Sequence, residues 1–121
     1  MFISIVAPLL LARAISTVPE PIPQRMRVTC YTATGNNMAN GQKPYEGAVA
    51  GRKEDIGKKC YIYDANMELI GVFDICDTGG KLIRNGERID VYRDTLDRCY
   101  DWVHTYGDYL YISIQEGDAE P

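Results

Sequence analysis

Hydrophobic and polar residues alternate in several short segments of the chain, which is the period of a β-strand with one buried face. The alternating segments, together with one short apolar run, predict strands at 26–32, 48–50, 59–63, 69–75, 88–92 and 109–114. Stretches at 35–47 and 77–87, rich in glycine and other turn-forming residues, predict loops. The residues Asp64-Ala65-Asn66 have turn chemistry and predict a hairpin between the third and fourth strands.

One segment has the spacing of a helix instead. Its apolar residues recur every three or four positions and predict a helix over about 95–106, with an apolar face made of Leu96, Cys99, Val103 and Tyr106. Asp94 is the predicted N-cap, Asp97 occupies the capping-box position, and Gly107 is suited to end the helix. Trp102 lies off this apolar face, which leaves open whether it is buried or exposed.

These elements predict a mainly-β protein, a small six-stranded barrel with one α-helix before the last strand. Strands this short, joined by loops of mixed length, favour a closed barrel because closure leaves no exposed strand edge. The chain has 121 residues, of which 45% are hydrophobic and 25% charged, and this is enough for one domain with a modest core. We therefore predict one domain at 26–114, followed by a polar tail at 115–121.

The segment before this domain has the composition of an export signal and a spacer. Residues 2–11 are almost all apolar, a run too short to span a bilayer but typical of a secretory signal, and Ala12-Arg13-Ala14 offers a cleavage site. We predict a signal peptide at 1–14 and a secreted or cell-wall-associated protein with no integral membrane segment after processing. No basic residue precedes the apolar run, so a buried N-terminal strand is the alternative. Proline at alternate positions then predicts an extended spacer at 15–25.

Charge and cysteine content bear on several classes of function. The formal net charge is −4 and no basic stripe is visible, so a nucleic-acid partner is not expected. The cysteines form no Cys-x-x-Cys pair and the single histidine, His104, is expected on the surface, so neither a metal nor a cofactor is predicted. Four cysteines permit one or two disulfides, but three of them suit core positions equally well as thiols. The four are Cys30 and the core candidates Cys60, Cys76 and Cys99.

Two carboxylates are the candidates for chemistry. Asp77 ends an apolar strand and is followed by Thr78-Gly79-Gly80, while Asp90 lies within the strand 88–92. Two acids held in one cleft cannot both ionise freely, so one can keep a proton near neutral pH and serve acid/base chemistry on a sugar or a peptide bond. Alternation puts Asp90 on the strand face opposite the core. The structural alternatives are a surface ion pair between Asp90 and Arg88, and a turn in which Asp77 accepts backbone N–H bonds.

The segments Asp77-Thr78-Gly79-Gly80 and Arg88-Ile89-Asp90-Val91-Tyr92 together resemble the three-aspartate domain. This domain is shared by the membrane-bound lytic transglycosylase A family and by muralytic proteins of Gram-positive bacteria. Further similarity lies in the segments 28–32, 47–50 and 56–57 and in Gly41, the Lys59 strand and Gly107, so that the resemblance covers about 26–114. The resemblance implies that the six-stranded barrel is a double-psi β-barrel.

The family is named for three aspartates, of which this chain matches two. Asp77 and Asp90 match the second and third, whereas the first falls at Ala50. The resemblance implies that Asp90 is the catalytic acid/base and that Asp77 supports it, and Asp55 or Asp74 is a candidate to replace the missing carboxylate. The candidate substrate-binding residues flank these acids and are Tyr31, Thr32, Thr78, Gly79, Gly80, Arg88 and Tyr92.

The activity that the resemblance implies is the lytic transglycosylase reaction on peptidoglycan. This reaction cleaves the β-1,4 bond between N-acetylmuramic acid and N-acetylglucosamine with one dual-role carboxylic acid, needs no cofactor and leaves a 1,6-anhydro ring. The expected partners are peptidoglycan glycan strands, and the protein is expected to act as a monomer. Arg88 is expected to point along the substrate groove or to pair with another acid, because a guanidinium clamped on Asp90 would oppose its protonation.

Two other functions fit parts of the same pattern. Asp77-Thr78-Gly79 is the nucleus of a homodimeric aspartic protease, although Gly80 stands where such proteases carry alanine or serine. A non-catalytic cell-wall glycan-binding barrel is favoured by Ala50, because one carboxylate of the family pattern is missing there.

Overall fold

In the computed structural model, which describes residues 21–117, the alternating segments close into a single β-barrel. Its strands are β1 (Gln24–Tyr31), β2 (Ala48–Ala50), β3 (Lys59–Tyr63), β4 (Leu69–Asp77), β5 (Arg88–Tyr92) and β6 (Tyr109–Gln115). The order around the barrel is β1-β5-β2-β4-β3-β6, with β6 pairing back onto β1. The β1–β5 and β2–β4 pairs are parallel and the others are antiparallel. The predicted mainly-β, closed six-stranded barrel is confirmed.

The strand boundaries agree with the sequence pattern except at four ends, one of which is the C-terminal end of β1, at Tyr31 rather than at the predicted Thr32. β1 begins at Gln24, inside the predicted spacer, because Gln24–Arg27 pairs with β6. β4 continues to Asp77, since that residue pairs with Ala50 of β2. β6 extends one residue into the predicted tail, to Gln115. The predicted signal peptide, most of the spacer and residues 118–121 lie outside the described residues, and within residues 21–117 no helix could cross a membrane.

The barrel interior is filled by one apolar cluster that draws on every strand. Alternation turns Val28, Val49 and Val91 inward, and each of these side chains is fully buried. The remaining buried members of this cluster are Cys60, Ile62, Ile75, Ile89, Trp102, Leu110 and Ile112. Because these residues occupy the inner face, their neighbours along β1, β2 and β5 must lie on the outer face of the barrel wall.

The helix before the last strand forms as predicted, but a different face of it is buried. It runs over Leu96–Tyr106, and we call it α2, because a short helix, α1 (Lys81–Arg84), occupies part of the loop predicted at 77–87. Cys99 and Trp102 are buried, whereas Leu96 is 55% and Val103 37% exposed. The predicted apolar face is therefore wrong for two of its four residues. The Trp102 ring, which the pattern left open, makes edge contacts with Phe73 and Tyr106 instead.

The N-cap of α2 is Thr95 and not the predicted Asp94. The Thr95 hydroxyl accepts the Arg98 N–H at 3.1 Å. Asp94 precedes the helix, and its own N–H donates to the Glu46 carboxylate at 2.6 Å. Both residue types are good caps, so a contact from a distant loop decides between them. His104 is exposed, as predicted.

The cysteines follow the core-thiol alternative rather than the disulfide alternative. All four are free; Cys60, Cys76 and Cys99 are buried and Cys30 is half-buried. Cys76 belongs to a second apolar cluster on the outer face of the wall, where Met38 packs against Ala48 and Tyr92. Met38 lies in the segment between β1 and β2, so that segment folds over the outer face and covers part of it.

Candidate active site

Strand pairing brings four residues from distant parts of the chain into one row on the outer face of the wall. Thr29 of β1 is directly opposite Asp90 of β5, and Asp90 is directly opposite Ala50 of β2. A shift in register after Val49 then puts Ala50 opposite Asp77 of β4. We call Thr29, Asp90, Ala50 and Asp77 the acid row. The two predicted acids are thus brought together, one strand apart, with a small side chain between them.

Asp90 is held by a hydrogen bond within this row. The Thr29 hydroxyl donates to Oδ1 of Asp90 at 2.7 Å. Burial raises the pKa of Asp90 above its ordinary value, and the negative charge of Asp77 acts in the same direction. The Thr29 hydrogen bond and the positive charge of Arg88 oppose this increase without cancelling it. A carboxyl group in this setting keeps its proton to a higher pH than a free aspartate does.

Arg88 lies two residues before Asp90 on the same strand face but is not clamped on it. No ion pair within 4.0 Å joins Arg88 to any acid of residues 21–117. Arg88 instead lines a cavity with Arg25 and Arg27. The Asp90–Arg88 surface ion pair considered above is therefore not formed.

Asp77 accepts three hydrogen bonds that fix both of its oxygens. Oδ1 accepts the N–H groups of Ala39 and Thr78, each at 2.9 Å. Oδ2 accepts the Tyr31 hydroxyl at 3.3 Å. Burial and the charge of Asp77 raise the pKa of Tyr31, so its hydroxyl stays protonated and serves as a donor. Asp77 therefore has a structural role, anchoring the covering segment through Ala39, in addition to its place in the acid row.

The other predicted binding residues divide into those that face the acids and those that support them. Tyr31 touches Asp77, whereas Tyr92 is 5% exposed and packs edge-on against the Tyr31 ring with 5.4 Å between ring centroids. Tyr92 therefore supports the site from beneath. Thr78 follows Asp77 in sequence, and its hydroxyl is buried without a hydrogen-bond partner among residues 21–117. Thr32 is half-buried just beyond the end of β1.

The two glycines after Thr78 precede the short helix α1. A Cβ added to Gly79 would lie 2.7 Å from Cδ1 of Ile83, so a larger residue there would require the Ile83 side chain to shift. Gly80 is exposed and precedes that helix as its N-cap. A Cβ added to Gly80 would meet no atom within 4 Å, so the structure gives no local reason for glycine at that position.

Neither candidate replacement for the missing carboxylate belongs to the acid row. Asp55 is buried; although burial raises its pKa, hydrogen bonds from Arg52 at 2.8 Å and Lys58 at 3.1 Å lower it overall. Asp74 pairs with Lys59, which lowers its pKa, and accepts the Tyr45 hydroxyl at 2.9 Å. Both carboxylates are committed to ion pairs, so Ala50 has no acidic substitute in the row.

Thr29 and the Ala39 N–H are site groups that sequence reasoning missed. Thr29 alternates with Val28, so its outward direction could have been inferred, but its pairing with a residue 61 positions away could not. Within residues 21–117, no group of three or more histidine, cysteine, aspartate or glutamate side chains is arranged to hold a metal ion.

Comparison with known proteins adds no family assignment to this geometry. A search against protein-family models gave no match, and no curated protein matches the chain.

Proposed function

We propose that this protein is a muralytic enzyme of the lytic transglycosylase type and that Asp90 is its catalytic acid/base. The observation that carries the proposal is the position of Asp90 in the acid row. Burial and a second carboxylate raise its pKa there, while Arg88 makes no ion pair with it. A carboxylic acid that stays protonated toward neutral pH is what protonation of a glycosidic oxygen requires.

The reaction needs one dual-role acid and no water. Asp90 gives its proton to the oxygen that links N-acetylmuramic acid to the following N-acetylglucosamine, and the bond from that oxygen to the anomeric carbon breaks. The resulting carboxylate then takes the proton from the 6-hydroxyl of the same muramyl ring. The oxygen of that hydroxyl bonds to the anomeric carbon and closes the 1,6-anhydro ring, which returns Asp90 to its protonated form.

Asp77 supports this cycle as a positioning residue. Its three donors fix the carboxylate, and its charge favours the protonated state of Asp90. Such an arrangement holds a proton on one acid by placing a second acid nearby, as in other paired-carboxylate sites.

The proposal includes membership of the three-aspartate family and a location outside the cell at the cell wall. The closed barrel supports this membership, and Ala50 stands between the two acids, where the resemblance expects the first aspartate. The substrate lies outside the membrane, which agrees with the export signal predicted at 1–14.

A second candidate is a barrel that binds cell-wall glycan without cleaving it. The observation that favours it is Ala50, which is 3% exposed and supplies only a methyl group at the centre of the acid row. The surface around the acid row would then hold the sugar without completing the reaction.

Mass spectrometry of purified peptidoglycan incubated with the protein separates these functions. We expect soluble fragments that end in 1,6-anhydromuramic acid. Fragments with reducing muramyl ends would mean that water attacks instead, and sedimentation of the protein with sacculi without any released fragment would establish the binding-only function. Cleavage of peptide substrates blocked by pepstatin would instead identify the aspartic protease.

We expect Thr29→Val to move the alkaline limb of the pH–activity profile to higher pH. The Thr29 hydrogen bond lowers the pKa of Asp90, so removing it raises that pKa further. Because the reaction starts from protonated Asp90, activity is lost as pH rises through this pKa, and a higher pKa delays the loss. Thr29→Ser keeps the hydroxyl and is the control. If the pH–activity profile of Thr29→Val coincided with that of Thr29→Ser, the Thr29 hydroxyl would have no influence on the pKa of the catalytic acid.

A further inference from the structure

A cavity of about 600 Å³ begins two residues from the acid row along β1 and β5, and three arginines line it in a chain of net charge −4. Arg25 and Arg27 of β1 lie on the same strand face as Thr29, and Arg88 of β5 lies on the same face as Asp90. The side chains that complete the cavity wall include Leu82, Glu87 and Tyr109. The cavity and the acid row therefore belong to one continuous outer surface.

The arginines of this cavity form no close ion pair within the described residues, although Glu87 also lines the cavity. Arg27 and Arg88 are directly opposite each other, an arrangement that costs stability for two like charges. None of the three makes an ion pair within 4.0 Å of an acid of residues 21–117, and Glu87 accepts its hydrogen bond from Asn85 instead. Arg25 lies over the Tyr109 ring, 4.3 Å from its centroid.

Arg88 contributes a further sign of an absent partner. Its Nε–H is buried and has no hydrogen-bond partner among residues 21–117. A guanidinium presents its donors as a planar fork that matches a carboxylate bidentately. An unused donor on an arginine that lies beside a second arginine in the wall of one cavity is an arrangement that a bound oxyanion would satisfy.

We propose that this cavity binds a free carboxylate of the peptide carried by the muramyl residue, an inference that rests on the proposed function. Residues two apart on one strand face are separated by about 7 Å, so Arg88 lies roughly that far along β5 from Asp90. The muramyl ring that reacts at Asp90 carries its peptide on the same sugar. The peptide therefore leaves the glycan next to the acid row and reaches Arg27 and Arg88 with its carboxylates.

Binding of N-acetylmuramyl-tetrapeptide, measured by titration calorimetry, tests this assignment directly. The probe has no glycosidic bond between sugars, so the protein cannot consume it. We expect Arg27→Gln and Arg88→Gln each to weaken binding about tenfold, the effect of losing one charge-assisted hydrogen bond. The same probe with its carboxylates amidated should bind wild type as weakly as the unmodified probe binds the variants.

Arg84→Gln is the matched control, because Arg84 is an exposed arginine that does not line the cavity. It removes the same charge and should leave the affinity unchanged. Equal affinity of wild type, Arg27→Gln and Arg88→Gln would overturn the assignment, as would equal binding of the amidated peptide. An equal loss in Arg84→Gln would also overturn it, since the attraction would then be one of net charge. Arg27 is exposed, so its replacement leaves the barrel core intact.

Release of anhydromuramyl fragments distinguishes failure of this inference from failure of the proposed function. If wild type releases these fragments while the arginine variants bind the probe normally, the carboxylate site is wrong and the activity stands. If wild type releases none but the arginine variants lose binding of the probe, the carboxylate site stands and the reaction is wrong. When the carboxylate site and the activity are both correct, Arg27→Gln should slow cleavage of peptide-bearing glycan strands more than cleavage of glycan strands from which an amidase has removed the peptide.

Discussion

Asp90→Asn is expected to lower the release of anhydromuramyl fragments by at least about a hundredfold, the usual contribution of a general acid. The asparagine side chain has nearly the same shape and can still accept the Thr29 hydrogen bond, which is 2.7 Å long in the native site. It has no proton to give to the glycosidic oxygen, however. The measurement is the initial rate of fragment release from purified peptidoglycan, quantified by mass spectrometry.

The stability of this variant provides a check that the loss is chemical. Because the pKa of Asp90 is raised in the folded state, the stabilisation from its proton is complete below the unfolded pKa of about 3.9 and is lost as pH rises through the folded pKa. The ionised group therefore costs stability at higher pH, and asparagine removes that cost. We expect the melting temperature of Asp90→Asn at neutral pH to equal or exceed that of wild type.

Asp101→Asn is the matched control, since Asp101 is an exposed aspartate on α2. It should keep wild-type activity. Full activity of a well-folded Asp90→Asn protein would show that Asp90 is not the acid, whereas absence of fragment release by both wild type and Asp90→Asn would favour the binding-only function.

Trp102→Ala is expected to destabilise the protein by about 3–5 kcal/mol, which is typical for deleting a large buried aromatic side chain. Trp102 is 4% exposed and belongs to the interior cluster, where its ring contacts Phe73 and Tyr106 with centroids 5.9 Å and 4.7 Å away. Small domains have roughly 5–15 kcal/mol of total stability, so this change removes a large part of it. Urea denaturation followed by circular dichroism gives the free energy of unfolding.

Leu96→Ala on the same helix is the contrasting variant. Leu96 belongs to the apolar face predicted from the sequence, yet it is 55% exposed, so its truncation should change the free energy of unfolding by no more than about 0.5 kcal/mol. If Leu96→Ala proved as costly as Trp102→Ala, α2 would have to pack with the face that the spacing predicted.

The strands of this barrel could be predicted because their signal is local. In β3 and β5 the side chains alternate between core and outer face, so hydrophobicity alone locates both ends of each strand. The face of α2 could not be predicted in the same way. Two overlapping sets of residues have helical spacing, one with Leu96 and Val103 and one with Trp102. The set with Trp102 is the buried one, and the Trp102 ring packs between Phe73 and Tyr106.

The two acids of the candidate site could be predicted from the sequence, whereas the groups that donate hydrogen bonds to them could not. Asp77 and Asp90 were identified from the short segments that contain them, together with a resemblance to a known family. Their partners Thr29 and Ala39 depend on how strands and a covering segment meet in space, over separations of 61 and 38 residues. A donor at such a distance in sequence leaves no local pattern that would reveal it.

The closure of the barrel determines when the acid row can form during synthesis. β6, the last strand to be made, holds β1 on one side and β3 on the other. Until it is added, both of those strands have an unpaired edge and are exposed to association with other chains. Thr29 meets Asp90 only when the first strand docks beside the fifth. A nascent chain that stops before β6 therefore lacks a closed barrel, and the acid row that the proposed activity requires is stabilised only after β6 has been made.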